Sequence, residues 1–216
     1  GGRVCLRSFY ALDGAGRAGH GGGLEDHGCS QTRGSVMQKL HLGCGPRIIP
    51  GYINVDIQPF DGVDVVTDLR DLPFAPDSAD FIYSCANIEH FGRHEWVGLL
   101  RHWQSVLKPG ATLRLSTADF AAVVERYREV GNINELLGLV VGGQKDPWDL
   151  HGMIFDFSSL AAGLEAAGFK DVRRYDWQTT DLAEMGIDDF SQAYLPHMDK
   201  ENGRLMMLNV EAVKVG

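Results

Sequence analysis

The stretch Leu40-His41-Leu42-Gly43-Cys44-Gly45 is an apolar run that enters a tight glycine turn. Missing β-carbons let such a turn approach a ligand closely at the carboxyl edge of a sheet, so a nucleotide-like ligand is expected there. Taken alone, GxG is a weak signal, because glycine turns also join strands to helices in proteins without ligands. The next run, Tyr52-Ile53-Asn54-Val55-Asp56, ends in a carboxylate eleven residues after Gly45 that can accept two ribose hydroxyls. A third run ends in Asp68, followed by Leu69. A carboxylate there can accept from an adenine amino group while the apolar neighbour packs on the ring. Each acid by itself reads equally as a turn or cap residue, and the ordered combination carries the inference.

Proton-transfer candidates lie farther along. His90 follows the fourth apolar run, and His151 ends the polar stretch Asp146-Pro147-Trp148-Asp149-Leu150-His151. Either is a candidate general base, and either also reads as a packing residue. Asp119 is a further candidate base, with helix N-capping as its alternative. His90 and His94 are four apart with Glu89 and Glu95 beside them, a spacing that suits a metal on one helical face. Gly92 interrupts that helix, and a solvated helix start accounts for the same residues, so no metal site is expected. A nicotinamide-type GxGxxG is missing, since Ile48 stands three beyond Gly45, and no GKS or GKT supplies a P-loop.

The elements that must position these residues are legible as an alternation. β-type runs at Lys39–Leu42, Tyr52–Asp56, Val63–Thr67, Asp80–Ser84 and Ala111–Ser116 are separated by turns or amphipathic stretches, which predicts a parallel α/β sheet. Helices are predicted over Arg93–Leu107, over Asp119–Val130 with Asp119 as N-cap, and over Phe157–Ala167 with Ser158 or Ser159 as cap and Gly168 as stop. Two closing strands are predicted at Val172–Trp177 and Met206–Lys214, the latter after a polar turn at Asp199–Gly203. Gly131–Leu150 and Gln178–Gly203 are longer than ordinary connections, and long loops often form lids or binding walls. Trp148, Trp177, Phe190 and Tyr194 are their candidate aromatic wall, with core packing as the alternative role.

Bulk properties bound the answer. The 216 residues, 44% hydrophobic and 23% charged, suit one domain with a sizeable core. Residues 1–36 hold ten of the 27 glycines and read as a flexible extension; Met37 directly precedes the first strand pattern and is a candidate native start, leaving 37–216 as the domain. Net charge is −9 and becomes −10 without the extension, with no basic stripe to neutralise phosphates, so nucleic acid is not expected as a partner. Neither a membrane span nor a secretory signal is evident. Cys5, Cys29, Cys44 and Cys85 form no CxxC pair, which points to a reducing, cytoplasmic setting.

The glycine turn, the Asn54-Val55-Asp56 strand end, Asp68-Leu69-Arg70-Asp71-Leu72-Pro73-Phe74, Asp80 to Phe91 and Leu107-Lys108-Pro109-Gly110 occur in the order seen in class I S-adenosylmethionine (SAM) dependent methyltransferases. The resemblance is to the type 11 kind, is strong from Lys39 to Ser116, and continues less specifically through His151, Leu160, Leu164, Gly168 and Phe169. It implies a Rossmann-like three-layer α/β sandwich whose seven-stranded, mostly parallel sheet ends in an antiparallel strand. It implies SAM as cofactor, with Gly43, Cys44 and Gly45 bordering the methionine part, Asp56 at the ribose with Ile57 beside it among the cofactor-binding residues, Asp68 and Leu69 framing the adenine, and Ser84, Cys85 and Ala86 lining the methyl-donor side.

This sequence departs from the family pattern at two positions. His41 stands where many members carry an acid that helps hold the SAM ammonium group, and Arg47 stands where a third glycine is common, so the resemblance does not carry the ammonium contacts over. The short, Pro- and Gly-rich stretch from Gly45 to Tyr52 further implies that the usual long first helix is reduced or missing. The expected activity is methyl transfer to a small-molecule or sugar-like acceptor. A non-catalytic SAM-binding protein, or an aminopropyltransferase on a related fold, is the alternative.

Overall fold

The computed structural model describes residues 37–216; the expected extension over residues 1–36 lies outside them. Four strands come in quick succession: β1 (Lys39–Leu42), β2 (Ile53–Asp56), β3 (Val65–Val66) and β4 (Ala79–Cys85). Helix α1 (Trp96–Val106) leads into β5 (Leu107–Ala118), and α2 (Phe120–Val130) and the short α3 (Leu137–Val141) follow. The chain continues through α4 (Phe157–Ala166), β6 (Phe169–Arg174), the short α5 (Asp181–Glu184), a small hairpin of β7 (Tyr194–Leu195) and β8 (Arg204–Leu205), and β9 (Met207–Lys214).

Seven strands make one sheet in the order β3-β2-β1-β4-β5-β9-β6. The neighbours from β3 through β5 pair in parallel, whereas β9 runs antiparallel to both β5 and β6. This is the Rossmann-like sheet expected from the sequence. Strand ends differ from the periodicity by a few residues because pairing, not hydropathy, sets them: β6 starts at Phe169 opposite Lys214 rather than at Val172, and Trp177 falls outside it in a one-turn 3-10 helix.

Caps follow local chemistry. Asp119 caps α2 as expected, its side chain accepting from the Ala121 amide. The cap of α4 is Asp156 rather than Ser158 or Ser159. Its carboxylate accepts from the Ser159 amide while the Ser159 hydroxyl lies 3.1 Å from the Asp156 amide, a reciprocal capping box. The Arg93 helix begins at Trp96, and His90 belongs to a separate 3-10 turn, Ile88–His90.

The two faces of the sheet are covered differently. On one, Leu40, Leu42, Ile82, Leu113 and Leu115 pack beneath α1 and α4, with Trp103 fully buried and its indole NH donating to the Leu69 carbonyl at 3.0 Å. On the other, no helix follows β1; residues 43–52 are turns, in agreement with the short, Pro-rich connection. That face is covered instead by Ile49, Tyr52, Leu182 and Ile187 packing over Phe81, Tyr83 and Cys85. Asp181 anchors this return of the chain. It is bonded by Lys39 (3.2 Å), the Tyr52 hydroxyl (3.3 Å) and Arg114 (2.8 Å), residues of β1, the β1–β2 turn and β5.

Candidate functional site

A cleft of about 890 Å³ opens at the carboxyl ends of β1, β2 and β4, where ligands bind in open α/β sheets. One side is lined by Gly43, Cys44, Gly45, Asp56, Ile57, Asp68 and Leu69, with Cys85 and Ala86 at the floor; across from them stand His90 and the wall Asp146–Gly152. Of the twelve residues expected to contact SAM or to act as histidine bases, eleven are therefore brought to one cavity. Ser84 is not among them: at 1% exposure its hydroxyl donates to the Leu42 carbonyl at 3.0 Å and ties β4 to β1. Alternation along β4 turns it toward the opposite face from Tyr83 and Cys85, which a motif comparison does not register.

The glycine turn is held by its neighbours. Gly43 has φ +67°, and a β-carbon there would come within 1.9 Å of Asn87 Oδ1. The Asn87 amide donates to the carbonyls of Leu42, Gly43 and Cys85, stapling the turn to the end of β4. Asn87 escaped the sequence reading, since a lone Asn after a strand carries no signal beyond a turn. Asp56 completes the cradle: Oδ2 accepts from the Gly45 amide at 2.7 Å and Oδ1 from the Gln58 amide at 2.8 Å. A carboxylate has about four lone-pair sites, so each oxygen keeps one for a ligand hydroxyl. Burial beside Asp56 pushes the Cys44 thiol up to about 12, which keeps it protonated and unreactive.

Asp68 faces the cleft but is shared. Arg70 meets it at 3.0 Å and reaches Glu95 at 2.7 Å, with its guanidinium over the Phe91 ring. Leu69 is 7% exposed and packs in the core while lining the cavity.

The two histidines differ in what their nitrogens do. Both ring nitrogens of His90 face carbonyl oxygens, Leu150 at 3.0 Å and Ala86 at 3.1 Å. A neutral imidazole donates to one of these carbonyls and lies against the other, so His90 links the floor, where Ala86 adopts a left-handed φ of 56°, to the Asp146–Gly152 wall. His151 has one such partner, the Leu139 carbonyl 3.2 Å from Nδ1. A carbonyl only accepts, so Nδ1 carries the proton and Nε2 keeps a free lone pair. Burial, and then the neighbouring His90 with its ring centroid 5.1 Å away, lower the basicity of His151 and keep it neutral at physiological pH.

Asp119 does not reach the cleft; besides capping α2 it pairs with Arg174 at 3.0 Å. Of the candidate aromatic wall, Trp148 and Phe190 line the cavity, both about half exposed, with Arg47 over the Phe190 ring at 4.4 Å. Trp177 and Tyr194 instead bond each other, indole NH to hydroxyl at 3.2 Å. No group of three or more His, Cys, Asp or Glu side chains among the described residues is arranged to hold a metal ion. No helix among them is long and apolar enough to cross a membrane.

A sheet of this order, with a glycine-turn cleft at its carboxyl edge, defines a class I methyltransferase fold, and comparison with known proteins agrees. Residues 52–115 match the family described as methyltransferase domain. The fold is similar to a SAM-dependent methyltransferase, possible histamine N-methyltransferase, from Thermotoga maritima (TM-score 0.53, 16% identity, covering 82% of each chain). It is also similar to a SAM-dependent methyltransferase from Archaeoglobus fulgidus (0.52, 16%, covering 83% of this chain and 87% of that one). Phosphoethanolamine N-methyltransferase 2 of Haemonchus contortus, in complex with SAM, aligns at 0.51 and 14% identity over 83% of this chain and 49% of its own. No curated protein matches in sequence. The fold is thus that of class I SAM-dependent methyltransferases, and residues 52–115 carry the sequence signature of a methyltransferase domain.

Proposed function

We propose that the chain transfers the SAM methyl group to a small-molecule or sugar-like acceptor bound against the Asp146–Gly152 wall. The observation that carries this is the continuity of the cavity, in which the Gly43–Gly45 turn and Asp56 share one space with Trp148 and His151. Bound SAM supplies a methyl group on a sulfonium, an electrophile with a good leaving group, so alignment of donor and acceptor contributes much of the rate. Asp56 and the glycine turn hold the donor, Leu69 packs against its base, and Trp148 and Phe190 offer apolar surface to the acceptor. His151, neutral and with Nε2 free, takes the proton from an oxygen or nitrogen acceptor. The net charge of −9 favours neutral or cationic acceptors over nucleic acid. The free, buried Cys44 and Cys85 accord with a cytoplasmic setting.

The test is calorimetric titration with SAM and with NADH, repeated on Asp56→Ala. Saturable SAM binding that weakens in the variant is expected, and NADH binding without SAM binding overturns the reading. An acceptor screen follows; methylation of protein or RNA alone refutes the small-acceptor assignment.

A further inference from the structure

Five aspartates line the cleft, and four are accounted for. Asp56 cradles the Gly45 and Gln58 amides, Asp68 is paired with Arg70, and the exposed Asp146 and half-buried Asp149 accept from backbone amides of their own loop. Asp189 is different. It is 7% exposed, its Oδ2 accepts from the Tyr83 hydroxyl at 2.5 Å, and its Oδ1 accepts from the Ser191 amide at 2.8 Å. No ion pair to it is formed among the described residues. Two donors fix its direction and leave lone pairs on both oxygens, but a buried carboxylate without a cation is costly unless a ligand supplies the charge.

Its position says which charge. Tyr83, which orients it, stacks on His41 with ring centroids 5.4 Å apart, and His41 immediately precedes Leu42 and the glycine turn. His41 is poorly suited to supply a cation. Burial lowers its basicity, and its Nδ1 proton goes to Asn54 Oδ1 at 3.1 Å, since that oxygen accepts. Asp189 reaches this place because the first helix is missing: the chain that returns after β6 covers the bare face of β1 and β4 through Leu182 and Ile187, and carries the Asp188–Gln192 turn to the cleft floor.

On the reading that this cleft binds SAM, we propose that Asp189 is the carboxylate that receives the α-ammonium group of the SAM amino-acid end, a contact supplied by the late return segment where β1 carries His41. Asp56 and Asp189 then grip the donor at opposite ends of the glycine turn, one on hydroxyls and one on a cation.

The experiment titrates the full chain, wild type and Asp189→Asn, with S-adenosylhomocysteine and with 5′-methylthioadenosine, which lacks the amino-acid end. A charge-assisted hydrogen bond predicts a roughly ten- to hundredfold loss for S-adenosylhomocysteine and little change for methylthioadenosine. Equal losses for both ligands make Asp189 structural, and no loss for either removes it from the site; both overturn the proposal. Wild-type protein that binds neither ligand overturns the SAM reading itself. Should Asp189→Asn not fold, Tyr83→Phe, which removes the orienting hydroxyl, is expected to show the same selective loss at smaller size, and an unselective or absent effect there refutes the proposal equally.

Discussion

At the scale of single residues, the division of labour follows from what each polar atom is already bonded to. Asp56 and Asp68 look alike as strand-end acids, but Asp56 is engaged by backbone amides and keeps acceptor capacity, whereas Asp68 shares its charge with Arg70. His90 and His151 look alike as loop histidines, but both nitrogens of His90 have a carbonyl against them, whereas Nε2 of His151 has none. If His151 is the base, His151→Asn lowers kcat for an oxygen or nitrogen acceptor by about 10²- to 10⁴-fold, with the SAM affinity nearly unchanged. The sign of the pH effect follows from its surroundings. Burial and His90 lower its basicity, so the free-base form persists down to below the ordinary value of 6.5, and the wild-type rate falls only on the acid side of that. A pH–rate profile in which the variant keeps the same acid limb excludes His151 as its source.

At the scale of elements, the late helix α4 is made by two local devices. Its Asp156–Ser159 capping box satisfies amides at the N-terminus, and Asp156→Ala is expected to cost about 1 kcal/mol in urea denaturation at neutral pH. Chiefly the Ser159 amide holds the Asp156 carboxyl below its ordinary 3.8, so this contribution is present above that pH and is lost as pH falls through the folded value. The gap between wild type and variant therefore closes in acid. The second device is close approach to α1: a β-carbon on Gly163 would lie within 1.8 Å of the Trp96 ring, which itself meets Phe155 edge-on at 5.0 Å between centroids. Gly163→Ala is expected to destabilise by about 1–3 kcal/mol through overpacking, despite the higher helix propensity of alanine. A stabilised variant contradicts this packing.

At the scale of the whole molecule, the return segment after β6 couples stability to the site. Leu182 is 5% exposed and packs with Ile49, Tyr52 and Tyr83, away from the cleft. Leu182→Ala is expected to cost about 2–5 kcal/mol in chemical denaturation. It is also expected to weaken S-adenosylhomocysteine binding, because the segment it anchors carries Asp189. Full affinity in a destabilised variant separates the two roles and removes the coupling.

The sequence by itself determined the parallel sheet, the glycine turn with its two following acids, the short connection after β1 and the Asp119 cap, because each is written in contiguous residues: apolar runs of strand length, glycines at a turn, a carboxylate before a helix. The antiparallel last strand came with the family resemblance and is seen in the pairing, whereas the order 3-2-1-4-5 is read from the pairing alone. Tertiary structure alone decided the rest. It turned Ser84 away from the cleft by strand alternation, made His90 a tether by placing the Leu150 carbonyl beside it, separated Trp148 and Phe190 from Trp177 and Tyr194, and brought Asp189 to the site from 106 residues beyond Tyr83. These outcomes depend on which atoms meet across the fold, and a linear pattern records spacing along the chain but not the partner that claims each lone pair or proton.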